Sequence, residues 1–372
     1  MKAVILVGGE GTRLRPLTYS TPKTMVPILN RPFLEHMLKY MKSHNIDDIV
    51  LALCYLPDHI RDYFGDGSDY GVKLTYVVED SPLGTAGAVK NVAQHLDDTF
   101  FVFNGDVFTD MDLTAMLETH RKKSAKATVA LTTVDDPTMY GVVETDSSGR
   151  VKRFVEKPKR EAVTTNMINA GTYILDPDLL GYIPANQSYM FERGLFPLLL
   201  ERGDPFYSFN SHGYWIDIGT PEKYMRVNSD LLTGEIATDF PGSIYNRNIW
   251  VEEGCNIHHK AKIDGPTVIG RNCVIEANAH IKGPSVIGPD CRISADSLVE
   301  KSIIWHNVKI GKGAKLHQCI IADAVSIGEG CDIAAGCIIG NKVSIEQNTT
   351  LALDTKVMPD EKLSASQNKN GK

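Results

Sequence analysis

A period of six governs the last third of the chain. From Val251, aliphatic residues fall at Ile257, Ile263, Ile269, Ile275, Ile281, Ile287, Ile293 and Val299. After a one-residue slip the run resumes at Ile304, Ile310 and Leu316. After another it continues through Ile321, Ile327, Ile333, Ile339, Ile345, Leu351 and Val357. No α-helix repeats every six residues, and a simple strand alternates every two. A solenoid that turns one face every six residues satisfies both constraints. Three faces make an 18-residue coil, so about six coils fit between residues 251 and 357. Small residues precede the aliphatics of the first run by two positions: Cys255, Ala261, Thr267, Cys273, Ala279, Ser285, Cys291 and Ser297.

Six of the seven cysteines lie in this region, Cys54 being the exception. Cys255, Cys273 and Cys291 recur at the coil repeat, as do Cys319 and Cys337. They are expected to stack inward as small apolar filler. Ala, Ser and Thr fill the equivalent slots, so thiol chemistry is not required there, and no C-x-x-C pair suggests zinc. The pattern resembles the hexapeptide repeat of left-handed parallel β-helices. An odd cysteine count and an apolar start that stops at Gly8-Gly9-Glu10 predict a reducing, cytoplasmic setting. No window approaches the roughly 20 apolar residues of a membrane span, so no membrane partner is expected.

Residues 1 to about 230 read differently. Strand-like runs at Ala3–Val7, Ile49–Cys54, Leu74–Val78 and Phe100–Phe103 alternate with helical spacing at Phe33, Leu34, Met37, Leu38 and Met41, and again from Thr85 to Leu96. Strand alternating with helix implies an α/β fold with a mostly parallel sheet. Val142–Thr145 and Val151–Glu156 flank Asp146-Ser147-Ser148-Gly149 as a hairpin. The 372 residues divide into a domain over 1–235, a solenoid over 250–358 and a polar tail over 359–372 that is expected to fray. The linker carries Gly234, Pro241 and Gly242. A net charge of −7 offers no global field for a nucleic acid backbone.

After the first strand come Gly8-Gly9-Glu10-Gly11-Thr12-Arg13-Leu14-Arg15-Pro16-Leu17-Thr18 and then Thr21-Pro22-Lys23. Glycines let backbone N–H groups approach phosphate oxygens, and Arg13 and Lys23 add positive charge suited to a triphosphate. The string is neither a P-loop nor a dinucleotide fingerprint.

It resembles the signature of sugar-1-phosphate nucleotidyltransferases. Further matches follow in that family's order: Leu83-Gly84-Thr85-Ala86-Gly87, Asn104-Gly105-Asp106, Tyr140-Gly141-Val142-Val143, Phe154-Val155-Glu156-Lys157-Pro158, Asn169-Ala170-Gly171 and Trp215-Ile216-Asp217-Ile218-Gly219-Thr220-Pro221. The resemblance spans about residues 1–225, departs at Thr24 where many members carry proline, and looks closest to mannose-1-phosphate guanylyltransferases. It implies a Rossmann-like domain with a mixed sheet, followed by the left-handed β-helix.

The reaction so implied joins an NTP to a sugar 1-phosphate and releases pyrophosphate. A sugar phosphate is already largely dianionic near pH 7, so no general base is needed. The task is to bring anions into line and neutralise the leaving charge. The resemblance assigns Mg²⁺ to Asp106 and Asp217, hard ligands suited to it. It assigns the phosphates to Arg13 and Lys23, and the nucleotide to Leu6, Gly8, Gly9, Gly11, Thr12, Glu79, Gly84 and Thr85 with Asp106. The sugar phosphate falls to Gly141, Glu156, Lys157, Asn169 and Gly171. Glu79 could accept from guanine N1–H and its amino group together. The alternatives are a glucose-1-phosphate thymidylyl- or uridylyltransferase, an added acyltransferase using His258, His259, His280, His306 or His317, and a non-catalytic sensor. A homo-oligomer joined through both domains is expected.

Overall fold

The computed structural model describes residues 1–364. By their contacts these form two compact units, one of Met1–Glu10 and Leu34–Asp217, the other of Gly11–Phe33 and Ile218 onward. The sequence divides the chain near 235–250, whereas the contacts interleave it.

The first unit is built on a nine-stranded mixed sheet. Lys2–Val7 lies between Asp48–Leu53 and Phe100–Asn104, parallel to both, and Lys73–Val78 extends the parallel side. Ala3, Val4 and Ile5 are fully buried, as expected of a parallel strand covered on both faces. Met167–Leu175 then runs antiparallel to Phe100–Asn104 and carries the rest of the sheet. Against it pairs Ala127–Thr133, itself flanked by Phe206–Asn210. The hairpin Gly141–Thr145 and Val151–Glu156 forms the other edge. Asp146 Oδ1 accepts from Ser148 N and Arg150 N, which closes the hairpin where the sequence places it. The α-helix Phe33–Ser43 turns Leu34, Leu38 and Met41 inward at helical spacing. A small second sheet pairs Trp215–Asp217 with Val107–Thr109.

The second unit is dominated by a parallel β-helix of six complete coils and two further strands, its three faces being three parallel sheets. Its last strand, Lys362–Leu363, lies beyond residue 358 and pairs with Ser344–Ile345. The period-six aliphatics form one continuous core, each fully buried one contributing about 1.5–3 kcal/mol. The first slip in the repeat is absorbed by register, because Ile269 pairs with Ile287 but Ile287 pairs with Ile304.

The small residues cap turn carbonyls. Thr267 and Ser285 hydroxyls donate to carbonyls three residues back. Cys273 and Cys291 thiols donate to Gly288 O and Trp305 O in the next coil. Burial pushes the Cys319 thiol up to about 12, so it serves as filler rather than a reactive group. Ser243–Asn246, inside the segment expected to be linker, forms an antiparallel edge strand on Ile249–Val251.

Segment Gly11–Phe33 joins this unit through specific bonds. Leu29 N donates to Asn228 Oδ1 at 3.0 Å, Tyr224 Oη to Pro27 O at 2.5 Å, and Asn30 Nδ2 to Ile287 O at 2.8 Å. Tyr224 and Asn228 lie on the α-helix Pro221–Thr233, and Trp305 Nε1 donates to Tyr224 Oη. No helix of the described residues is long and apolar enough to cross a membrane. The tail beyond residue 364, expected to fray, lies outside the described residues.

Candidate functional site

Parallel strands of an open α/β sheet present their carboxyl ends as the ligand crevice. In the first unit Leu6 lies near the end of Lys2–Val7 with Gly8 and Gly9 just after it, Glu79 follows Lys73–Val78, and Asp106 comes two residues after Phe100–Asn104. Leu6 pairs with Asn104, and Gly105 N donates to Leu6 O at 3.0 Å. Asp217, buried at 8% exposure, is the register partner of Val107, the residue after Asp106. The ladder thus places Asp217 against the first residue of the strand that follows Asp106. Among the described residues no cluster of three or more His, Cys, Asp or Glu forms a cage. Carboxylates completed by phosphate oxygens and water are a donor set that hard divalent cations accept, and Asp106 and Asp217 have that chemistry.

Tyr140 Oη donates to Asp217 Oδ2 at 2.8 Å, and its ring meets Trp215 edge-on at 5.5 Å. Trp215 Nε1 donates to Ala170 O at 2.8 Å. These bonds connect the Asp217 strand to the strand that carries Asn169 and Gly171.

Glu156 and Gly141 face each other across the hairpin. A Cβ at Gly141 would lie 2.6 Å from the Phe154 ring and 3.0 Å from Glu156 Oε2, so only glycine fits there. Lys157 follows at φ +48°, with Nζ 3.9 Å from Glu156 Oε1 and the side chain exposed. Burial, and then the Glu192 charge, push the Glu156 carboxyl up, while Lys157 and Arg193 oppose the rise.

Gly171 has φ +74°, and a Cβ there would lie 2.7 Å from Asn104 Nδ2. Asn169 spends its amide internally, accepting from Gly171 N at 2.9 Å and donating to Tyr173 Oη at 2.9 Å. These bonds shape the register break that Met167–Leu175 shows against Ala127–Thr133. Asn104 Oδ1 is buried without a hydrogen-bond partner, an acceptor whose desolvation is uncompensated within the protein.

Gly84 and Thr85 open the α-helix Gly84–Asn91. Ala86 N and Gly87 N both donate to Tyr189 O. Thr85 Oγ1 accepts from Phe191 N at 2.9 Å and donates to Glu192 Oε2 at 3.1 Å. Burial pushes the Glu192 carboxyl up. Glu79, 7% exposed, accepts from Leu83 N at 3.0 Å, and burial raises its pKa. The bond makes Glu79 a buckle for its own loop.

The remaining expected residues lie in the second unit. Gly11 adopts the left-handed conformation at φ +63°, and Thr18 Oγ1 donates to its carbonyl at 2.8 Å. Thr12 and Arg13 are exposed, and Arg13 has no ion-pair partner among the described residues. Lys23 is buried in the turn Lys23–Met25. The β-helix histidines His280, His306 and His317 pair with Asp264, Asp290 and Glu300 of adjoining coils. They act as ties between coils.

Sequence reasoning missed Asn104 as a buried open acceptor, Tyr140 as the partner of Asp217, and Glu192 altogether. Asn104 and Tyr140 stood inside motifs that drew attention to their neighbours. No local pattern marks Glu192, whose partners lie far away in sequence.

A family model described as nucleotidyl transferase matches residues 2–234, and one described as the EIF2B subunit epsilon LbH domain matches 246–351. A Mycobacterium tuberculosis protein named mannose-1-phosphate guanylyltransferase is 39% identical over 89% of this chain and 82% of its own. A Synechocystis protein named UTP--glucose-1-phosphate uridylyltransferase is 36% identical over 91% of this chain and 90% of its own. Among solved structures, HddC from Yersinia pseudotuberculosis complexed with GMP-PN is 32% identical, with TM-score 0.54. The match covers 61% of this chain and 97% of that one. The mixed-sheet domain and the left-handed β-helix expected from the sequence are both borne out.

Proposed function

The chain belongs to the nucleotidyl transferase family, and we propose that it couples GTP to mannose 1-phosphate, giving GDP-mannose and pyrophosphate. The observation that carries the nucleotidyl transfer is the ladder that sets Asp217 beside Val107 and hence near Asp106. In this reading Asp106 and Asp217 hold Mg²⁺, which when bound supplies charge neutralisation to the phosphates.

The protein's own groups do the rest. Gly8, Gly9, Gly11 and Thr12 offer backbone N–H groups to phosphate oxygens, and Arg13 and Lys23 stabilise the charge that grows on the leaving pyrophosphate. Lys157 holds the sugar phosphate. Glu156 and Asn104 Oδ1 accept from sugar hydroxyls, and Gly141 and Gly171 leave room for the ring. Asn169 keeps that wall in shape. Leu6, Gly84 and Thr85 line the nucleoside, and the Glu79 carboxylate accepts from guanine as well as from Leu83 N. The nucleophile arrives as a phosphate dianion, so alignment is the main demand.

The preference for GTP and mannose 1-phosphate is supported by the M. tuberculosis relative. The Synechocystis relative favours a second reading, UTP with glucose 1-phosphate. Pyrophosphate release should be measured for GTP, UTP and dTTP, each with mannose 1-phosphate and glucose 1-phosphate. The proposed pair should give the highest kcat/KM. A higher value with UTP or dTTP overturns the guanylyl assignment. No release with any pair overturns the transfer itself.

A further inference from the structure

We propose that Tyr140 is a positioning residue that ties the sugar-phosphate cation to the metal-binding carboxylate. The inference rests on the proposed roles of Lys157 and Asp217. Tyr140 is bonded at both ends. Its backbone carbonyl accepts from Lys157 N at 3.0 Å, and its hydroxyl donates to Asp217 Oδ2 at 2.8 Å. Between these ends the ring rests edge-on against Trp215, at 5.5 Å and 76°. Trp215 is held in turn by Ala170 O. The residue follows the tight turn Pro137–Met139, which delivers it to the start of the hairpin strand.

A carboxylate rotates freely until a donor pins one oxygen. The hydroxyl bonds Oδ2 and so restrains that rotation before any cation arrives. Such outer-shell donors typically govern metal affinity and activity by about 10- to 100-fold. The carbonyl end adds a second consequence. Lys157 holds a left-handed backbone conformation, which persists only where surrounding bonds enforce it. The bond from Lys157 N to Tyr140 O is one such bond. One residue, through its backbone carbonyl and its hydroxyl, therefore links the residue that receives the sugar phosphate to the carboxylate that receives the cation.

Tyr140→Phe keeps the ring and its contact with Trp215 and removes only the hydroxyl. Free Mn²⁺, followed by electron paramagnetic resonance on the protein alone, reads the site without turnover. The expected result is Mn²⁺ affinity weakened about tenfold. The kcat should fall by a similar factor while KM for the sugar phosphate stays within about twofold. Trp215→Phe, which loosens the ring and spares the hydroxyl, should weaken Mn²⁺ in the same direction by less. Wild-type Mn²⁺ affinity in both variants, with Asp217→Asn abolishing binding, overturns the role of Tyr140 alone. Unaltered Mn²⁺ binding in Asp217→Asn overturns the metal reading beneath it, and this inference with it.

Discussion

The two units use the left-handed backbone region for different ends. In the β-helix it recurs at the turns, at Asn272, Asn278, Asp290 and Asp296 among others. These short polar side chains tolerate it and bond along the stack, as Asn272 does to Asp290 at 3.0 Å and Asn278 to Asp296 at 2.9 Å. In the sheet unit Lys157 and Gly171 stand at such angles beside Glu156 and Asn104, and no repeat spreads the cost. The repeated angles mark a turn type, whereas those at Lys157 and Gly171 belong to no repeat.

Substitutions put that contrast to the test. The largest effect is expected from Asp217→Asn. Turnover should fall by about 100- to 1,000-fold while the melting temperature barely moves, measured by pyrophosphate release and calorimetry. Activity close to wild type would remove Asp217 from the chemistry.

Ile293→Ala, in the middle of the β-helix core, should do the opposite. It should cost about 2–5 kcal/mol in denaturant unfolding and leave turnover per folded molecule nearly unchanged. A large loss of turnover without loss of stability would contradict the division of labour.

Gly171→Ala should affect both quantities, because the new Cβ meets Asn104 and the left-handed angle penalises it. About 1–3 kcal/mol of stability is expected to be lost, together with sugar-phosphate affinity. Its counterpart in the β-helix, Asn278→Gly, should change stability by less than about 1 kcal/mol, since glycine accepts the same angle and only the exposed bond to Asp296 is lost.

Glu192 gives a smaller, pH-dependent test. Burial raises its pKa above the unfolded value, so the native state holds the proton more tightly. That contribution is full below the unfolded pKa and is lost as pH rises through the native one. Glu192→Gln, which can still accept from Thr85, should therefore gain melting temperature relative to wild type as pH rises from about 4 toward 8. A difference that stays flat with pH would mean that Glu192 does not titrate anomalously.

Much of this protein is written locally. The aliphatics from Val251 to Val357 declare a solenoid because one short rule is repeated many times, and each repeat is checked by the coil beside it. The buried run at Ala3–Val7 and the order of motifs from Gly8 to Pro221 likewise belong to contiguous residues. What the chain joins across distance was legible only in part. The motifs nominated Asp106 and Asp217, but nothing in the sequence states that Asp217 pairs with Val107 or that Tyr140 bonds to Asp217. Nor does it show that segment Gly11–Phe33 is claimed by Tyr224 and Asn228, an interleaving that no linear boundary expresses. The physical reason is redundancy. A periodic core encodes each contact many times over, so its pattern survives reading one stretch at a time. A hydrogen bond between two distant side chains is encoded once, and only the folded backbone brings its two ends within reach.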